Sequence, residues 1–301
     1  MKRKILGYIF TVFCLVNLAK AQSINAELVF SNLHGIKEVL NMSRNNTVYY
    51  EVEGYTIYMA NTVGSLDKKG LQKIKRKYKI DEKAAEIVDT IFSKSKILLH
   101  TKKLTSTVVQ NNIYYLTPIE NNVRVILLQT LNKRDKQLEK LMVKSILDDK
   151  IPNEVYTSSQ VDYIKFAGRI IKLGSVCDWM SAHNLQCQYQ GQMNWAEFRN
   201  PEKAEEMIKN QLAVTQSKSI GTTLLQDTVN VLFEGQETTA IRLKYKLKVP
   251  KVITGGSNVL IVYYVATKVR DKYVACVLSH YTDEALENKL PKLLAEVMSL
   301  K

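Results

Sequence analysis

Apolar residues recur along the chain with two different spacings, which predict strands in some segments and helices in others. Alternating β-branched and aromatic residues indicate strands, and apolar residues three and four positions apart indicate amphipathic helices. Strands are predicted at 48–53, 55–59, 97–109, 112–117, 123–131, 161–173, 220–234, 237–249, 258–269 and 272–281. Helices are predicted at 66–79, 82–94, 135–147, 201–216 and 283–299. The pattern therefore predicts an α+β protein with mainly antiparallel sheets and flanking helices.

A charged, proline-containing break at 148–153 divides this pattern into two halves. It predicts two domains, 22–150 and 151–301, with 22–47 as a polar lead-in to the first. Each half has the order helix, several strands, closing helix, which favours a diverged internal duplication. Acid-rich helix starts also recur by chance, because negative charge suits a helix N-terminus, so separate origins for the halves stay open.

The first 21 residues have the pattern of a secretory signal peptide. Basic residues at 2–4 precede an apolar run at 5–18, and the small residues Ala19 and Ala21 define a cleavage site before Gln22. A helix of the apolar run covers only about 21 Å, less than the ~30 Å hydrocarbon core, which disfavours a membrane anchor. We therefore expect an exported mature protein, periplasmic or extracellular, with no transmembrane span after signal removal.

Positive charge exceeds negative charge, with 43 basic and 29 acidic residues and a net charge of +14. Cleavage of the signal removes four basic residues and leaves +10. Seven of the remaining basic residues fall in the helix predicted at 66–79: Lys68, Lys69, Lys73, Lys75, Arg76, Lys77 and Lys79. They predict docking on an anionic envelope surface, and an ordinary solvated helix face is the alternative. Export argues against nucleic acid as the partner.

The segment 175–200 is predicted to be an irregular loop, and it contains the residues that most suggest chemistry. In an exported protein, Cys177 and Cys187 favour a disulfide that fixes this loop. Zinc binding by these cysteines with His183 is less favoured, because the spacing lacks the usual ligand pairs. Nucleophilic catalysis by Cys187 with His183 as the base also stays open. No metal or cofactor is predicted.

Aromatic and amide side chains interleave in the same segment, which suits a sugar or peptide ligand. The predicted ligand surface consists of Trp179, His183, Asn184, Tyr189, Gln192, Asn194 and Trp195. Burial of both tryptophans in the core is the competing interpretation, because tryptophan is highly buried on average.

The order of elements in 201–301 resembles the α/β/α sandwich of PsbP-like and DcrB-like extracytoplasmic proteins. The resemblance depends on the strand Tyr273–Leu278 and the Thr282-Asp283-Glu284 sequence that leads into the last predicted helix. The lysine- and asparagine-rich sequence after the signal also resembles exported Bacteroidota proteins of unknown function. Both resemblances imply an accessory or binding role, with no family active site to transfer.

The sequence thus predicts an exported envelope-associated binding or accessory protein. Its expected partner is an envelope protein, a glycan or an anionic surface. Glycine-rich phosphate loops, serine nucleophile elbows, HExxH motifs and paired catalytic carboxylates do not stand out. The alternative is an envelope hydrolase whose site lies in 175–200, because catalytic residues can converge only in the fold.

Overall fold

The computed structural model describes residues 40–44, 47–157, 161–174, 176–249, 257–281 and 289–301. The predicted signal 1–21 and most of the lead-in 22–47 lie outside these residues. Antiparallel sheet dominates the described chain and four α-helices accompany it there, which confirms the α+β class.

The first sheet has seven strands among the described residues, in the order β1-β2-β3-β7-β6-β5-β4. Its strands are β1 (Leu40–Arg44), β2 (Thr47–Val52), β3 (Tyr55–Val63), β4 (Ala85–Ile87), β5 (Lys96–Lys103), β6 (Val109–Ile119) and β7 (Asn122–Leu131). Every neighbouring pair is antiparallel. Helix α1 (Lys68–Tyr78) lies between β3 and β4 in the chain.

The second sheet has eight strands within the described ranges, in the order β10-β11-β12-β16-β15-β14-β13-β17. A separate hairpin, β8 (Tyr163–Phe166) and β9 (Arg169–Lys172), precedes it in the chain. The sheet consists of β10 (Cys177–Ser181), β11 (Asn184–Cys187), β12 (Gly191–Phe198), β13 (Gly221–Phe233), β14 (Gln236–Leu247), β15 (Val259–Val269), β16 (Lys272–Tyr281) and β17 (Met298–Leu300). Helix α3 (Pro201–Ser217) follows β12, and the short helix α4 (Lys292–Ala295) precedes β17.

Seven strands of each sheet have the same connectivity, and β17 of the second sheet has no counterpart among the described strands of the first. In each, three consecutive antiparallel strands lead into a helix, and four further strands return until the last pairs with the third, β7 with β3 and β16 with β12. By topology α1 therefore corresponds to α3.

The chain divides into two compact units, and both sheets belong to the same one. This unit comprises Leu40–Arg134 and Tyr156–Lys301, and the described part of the other is Asp135–Val155. In the smaller unit, helix α2 (Lys136–Leu147) begins as predicted, with the carboxylate of Asp135 accepting a hydrogen bond from the backbone N–H of Leu138.

Helix starts were predicted well, because side-chain caps are a local signal. Asn200 accepts from the backbone N–H of Lys203 at 3.2 Å, and Pro201 occupies the first turn of α3. Asp67 caps α1 in the same way, accepting from the N–H of Gly70 at 2.8 Å. Both helices then bury one face: Ile74 of α1 and Ile208 of α3 each pack into a hydrophobic cluster beside its sheet.

Three predicted segments have a different structure. The helix expected at 82–94 is replaced by strand β4 and turns, and its apolar residues Val88 and Ile91 are exposed, since pairing with β5 overrides local spacing. The described part of 283–299 holds only α4 and part of β17, because Pro291 removes a helical donor. The segment 175–200 forms strands β10, β11 and β12 instead of an irregular loop; alternation of buried Cys177 and Trp179 with exposed neighbours was its unrecognised strand signal.

Candidate functional site

A disulfide joins Cys177 and Cys187, as the sequence predicted for an exported chain. The two cysteines lie directly opposite each other on β10 and β11, with their Cα atoms 4.0 Å apart. This bond occupies both sulfurs, so Cys187 offers no thiolate for nucleophilic attack or for zinc. Cys276 is buried, and its burial raises the pKa of the thiol far above the usual value.

Both tryptophans are core residues and do not form a ligand surface. Trp179 and Trp195 are 5% and 1% exposed, and Phe166 contacts Trp195 edge-on at 5.7 Å between ring centroids. The prediction that Trp179, His183 and Trp195 contact a ligand at the surface is therefore wrong. Trp179 on β10 and Trp195 on β12 lie in the hydrophobic core, and His183 is buried in the turn between β10 and β11.

His183 is held neutral by its surroundings. Its ring stacks on Trp195 at a centroid distance of 4.7 Å, and burial lowers the pKa to about 3, partly opposed by a hydrogen bond with the backbone of Trp195. A buried imidazole with so low a pKa does not act as a general base near neutral pH. Among the described residues, no group of three His, Cys, Asp or Glu side chains is placed to hold a metal ion.

The other predicted ligand residues separate into different environments. Tyr189 is 87% exposed at the turn after β11. Gln192 donates to the side-chain oxygen of Asn184 at 2.9 Å, which ties β12 to β11. Asn194 alone of these four lines a cavity. The structure therefore does not bring the predicted set together as one surface.

Helix α1 presents the predicted basic residues mainly to solvent. Lys75 forms an ion pair with Glu82 at 3.3 Å, and Lys77 donates to the hydroxyl of Thr62 at 2.8 Å. The five others are exposed and form no ion pair with any described residue: Lys68, Lys69, Lys73, Arg76 and Lys79. Lys69, Lys73 and Arg76 are spaced to form one stripe along the helix, on the side away from buried Ile74.

The apolar side of α1 is already covered by protein. Ile74 is 2% exposed and lies in a cluster with Leu98, Leu116 and Val125 of the first sheet, against which Leu71 also packs. The helix thus offers a charged outer face with no apolar face free to enter a bilayer. Within the described part of the chain, no helix is long and apolar enough to cross a membrane.

A cavity of about 180 Å³ lies where the first sheet meets the second sheet and α3. The first sheet supplies its lining from β2, β3, β6 and β7, and the second sheet from β10, β12 and β16. The lining residues that matter below are Glu51, Thr56, Gln110, Gln129, Ser181, Asn194, Trp195, Met207, Ile208 and Gln211. All of them belong to the larger unit.

Glu51 is the acidic group of this cavity. It is 7% exposed, and the hydroxyl of Thr56 donates to its Oε2 at 3.0 Å. Burial raises the pKa of this carboxyl to about 8, opposed only in part by hydrogen bonds from Thr56 and the backbone of Gly54. Sequence reasoning placed Glu51 in a strand but assigned it no role, although an acidic residue within an aromatic strand was the available signal.

Comparisons with known proteins identify no family. No family model and no curated protein matches the chain. Solved structures give low similarity. One chain of the Tle4–Tli4 complex is 9% identical, with 88% of this chain and 98% of that chain covered and a TM-score of 0.21. DynU16 from the dynemicin biosynthetic locus is 7% identical, with 83% of this chain and 78% of that chain covered and a TM-score of 0.18. The di-domain ARO/CYC StfQ of the steffimycin biosynthetic pathway is 8% identical, with 76% of this chain and 86% of that chain covered and a TM-score of 0.16. At these TM-scores the likenesses support no argument about fold or function.

Proposed function

We propose that this chain is an exported binding or accessory protein that uses the outer face of α1 to attach to an anionic surface of the cell envelope. The observation that carries the proposal is the stripe Lys69, Lys73 and Arg76, exposed and without an ion-pair partner among the described residues. The Cys177–Cys187 disulfide supports export, because such bonds persist in oxidising compartments.

Electrostatic attraction is the interaction that this face offers. Exposed charges act over about 8–10 Å at ordinary ionic strength, and added salt shortens that range. Because Ile74 and Leu71 pack against the first sheet, binding gains nothing from apolar insertion. Binding should therefore be reversible and salt-sensitive. For the alternative of an envelope hydrolase in 175–200, the bonded Cys187 offers no nucleophile and His183 is buried.

Sedimentation with vesicles tests this proposal. The chain without residues 1–21 should bind vesicles that contain anionic phospholipid, should ignore purely zwitterionic vesicles, and should be released as salt rises. Neutralising the stripe with Lys69→Gln, Lys73→Gln and Arg76→Gln should lower the bound fraction severalfold, because about 1 kcal/mol per basic residue near the surface is lost.

A matched variant separates this local effect from overall charge. Lys133→Gln, Lys218→Gln and Lys246→Gln remove the same charge from three exposed lysines elsewhere. This control should sediment like the unmodified protein. Equal losses in both triple variants, or binding that salt does not weaken, would overturn the proposal. Binding only to acidic polysaccharide beads would replace lipid by a glycan as the anionic surface.

The finer structural predictions also remain proposals. We infer that the halves 22–150 and 151–301 are two domains derived from an internal duplication, which the shared strand order of the two sheets supports. The resemblance of 201–301 to PsbP-like and DcrB-like proteins stays a prediction, as does a mature chain that begins at Gln22.

A further inference from the structure

The cavity between the two sheets has an acidic group with no basic partner. Its lining contains no lysine, arginine or histidine among the described residues, so nothing there neutralises Glu51 when it ionises. The charged groups nearby are already paired with one another: Arg199 and Lys203 both bind the carboxylate of Glu53, at 2.9 Å and 3.3 Å.

The titratable groups that face Glu51 are phenols. Tyr58 of β3 interacts with both Tyr49 and Glu51, and burial with these two neighbours raises its pKa above the usual value for tyrosine. Tyr58 therefore stays neutral where Glu51 titrates. Because the carboxyl of Glu51 is buried without a counter-ion, its pKa rises to about 8 and it is mainly protonated at neutral pH.

The remaining polar lining favours a ligand that donates hydrogen bonds. Nε2 of Gln129 donates to the side-chain oxygen of Asn112 at 2.6 Å, and Nε2 of Gln211 lies 3.7 Å from the sulfur of Met207. Each contact uses one N–H of its amide, and the side-chain carbonyl oxygen of each glutamine is a hydrogen-bond acceptor. Ser181 and Asn194 also line the cavity, and the hydroxyl of Ser181, which donates to the backbone oxygen of Ala182 at 3.3 Å, keeps an oxygen that accepts hydrogen bonds.

We propose that this cavity binds a small organic cation, a primary ammonium on a short alkyl chain, whose charge pairs with the carboxylate of Glu51. The ammonium has three donors for Glu51 and the surrounding amide oxygens. The alkyl chain lies among the apolar lining residues Trp195, Met207 and Ile208. On binding, Glu51 releases its proton to solvent, so the site stays neutral overall.

The size and charge of the cavity favour a short cation over larger, anionic or neutral ligands. A volume of about 180 Å³ is below the 300–1,000 Å³ of sites for drug-sized molecules, which limits the ligand to a short chain. An anion would lie beside Glu51 with no lysine or arginine to receive it, and burying an unpaired charge is costly. A neutral alcohol would fit, but it gains no ion pair.

Three probes of equal chain length test the proposal: n-butylammonium, 1-butanol and butyrate. Binding is followed by NMR through the indole N–H of Trp195 and the side-chain amide of Asn194. We expect saturable shifts with n-butylammonium, at least about tenfold weaker binding of 1-butanol, and no saturation with butyrate. Affinity for n-butylammonium should rise by about tenfold per pH unit up to about pH 8 and then level off, since only ionised Glu51 pairs with the cation.

Two isosteric variants locate the effect. Glu51→Gln should lose the preference for n-butylammonium over 1-butanol and lose the pH dependence, while it keeps the fold as judged by its NMR spectrum. Glu206→Gln, an exposed glutamate on the same unit, should behave like the unmodified protein. The proposal is overturned if 1-butanol binds as tightly as n-butylammonium, or if Glu51→Gln retains the cation preference. Vesicle binding through α1 does not depend on either result.

Discussion

The disulfide between Cys177 and Cys187 links the edge strand of the second sheet to its neighbour. Strand β10 lies at one edge of that sheet and pairs only with β11 among the described strands. The disulfide therefore fixes an edge strand that has one neighbour instead of two. Trp179 belongs to β10 and packs in the core beside Trp195, so its burial depends on β10 staying paired.

Removing this disulfide should lower stability without unfolding the protein. The double substitution Cys177→Ala and Cys187→Ala removes a cross-link with a sequence separation of 10 residues, for which chain entropy predicts a loss of about 2–3 kcal/mol. Urea unfolding followed by tryptophan fluorescence measures this loss. Unmodified protein treated with a thiol reductant is the control and should match the variant, because Cys276 is already reduced. A loss below about 0.5 kcal/mol would contradict the stabilising role.

Among the structural elements, two hairpin turns of the same sequence allow a direct comparison. Glu53-Gly54 joins β2 to β3 and Glu234-Gly235 joins β13 to β14, and all four residues have positive φ angles between 47° and 79°. The first turn meets α3: a Cβ on Gly54 would lie 2.9 Å from Cε of Met207 and 3.0 Å from the ring of Phe198. A Cβ on Gly235 would have no atom within 4 Å.

Gly54→Ala should therefore destabilise the protein more than Gly235→Ala. Both substitutions force alanine into a left-handed conformation, which costs about 1 kcal/mol. Gly54→Ala also crowds the buried ring of Phe198, and overpacking adds about 1–3 kcal/mol. Thermal unfolding of the two variants side by side measures the difference. Equal shifts in melting temperature would mean that the turn and α3 do not pack as closely as their geometry indicates.

Local signals account for the elements that were predicted correctly. Asn200 and Pro201 define the start of α3, and Gly54 marks a turn, because caps and turns depend on residues adjacent in sequence. The 82–94 segment failed for the opposite reason. Its apolar residues do have helical spacing, but pairing with β5 at the edge of the sheet determines its structure. The residues of the segment itself carry no information about that pairing.

For the whole molecule, the cavity was beyond sequence reasoning. It joins Glu51 with Gln129 and Asn194, which are far apart in the sequence, on β2, β7 and β12, and meet only in the folded chain. The predicted ligand surface grouped residues that are close in the sequence but not in their environment, because Trp179 lies in the core and Tyr189 is exposed to solvent. Proximity along the chain was a good guide to the disulfide and a poor guide to binding surfaces.

Two buried titratable groups should give the protein a flat-topped profile of stability against pH. The pKa of Glu51 rises from 4.5 to about 8 on folding, so stability is lost as pH increases between these values. The pKa of His183 falls from 6.5 to about 3, so stability is lost as pH decreases between these values. Between about pH 4.5 and 6.5 these two opposite slopes cancel, so the free energy of unfolding should change little there and decline on both sides, with slopes approaching about 1.4 kcal/mol per pH unit. Burial also lowers the pKa of His280, which adds to the decline toward acid.

Single substitutions should remove each side of this profile separately. Glu51→Gln has no carboxyl to ionise, so its free energy of unfolding should no longer decline between about pH 6.5 and 8. His183→Asn keeps a residue that tolerates the positive φ of 52°, and it should lose the decline between about pH 4.5 and 3 that His183 causes. A smaller acid decline should remain in that variant, because burial lowers the pKa of His280 and hydrogen bonds lower the pKa values of Asp67 and Asp227. Urea unfolding across the pH range measures both limbs. An unchanged alkaline decline in Glu51→Gln would show that the carboxyl ionises normally in the folded protein, since a group with an unshifted pKa cannot couple folding to pH.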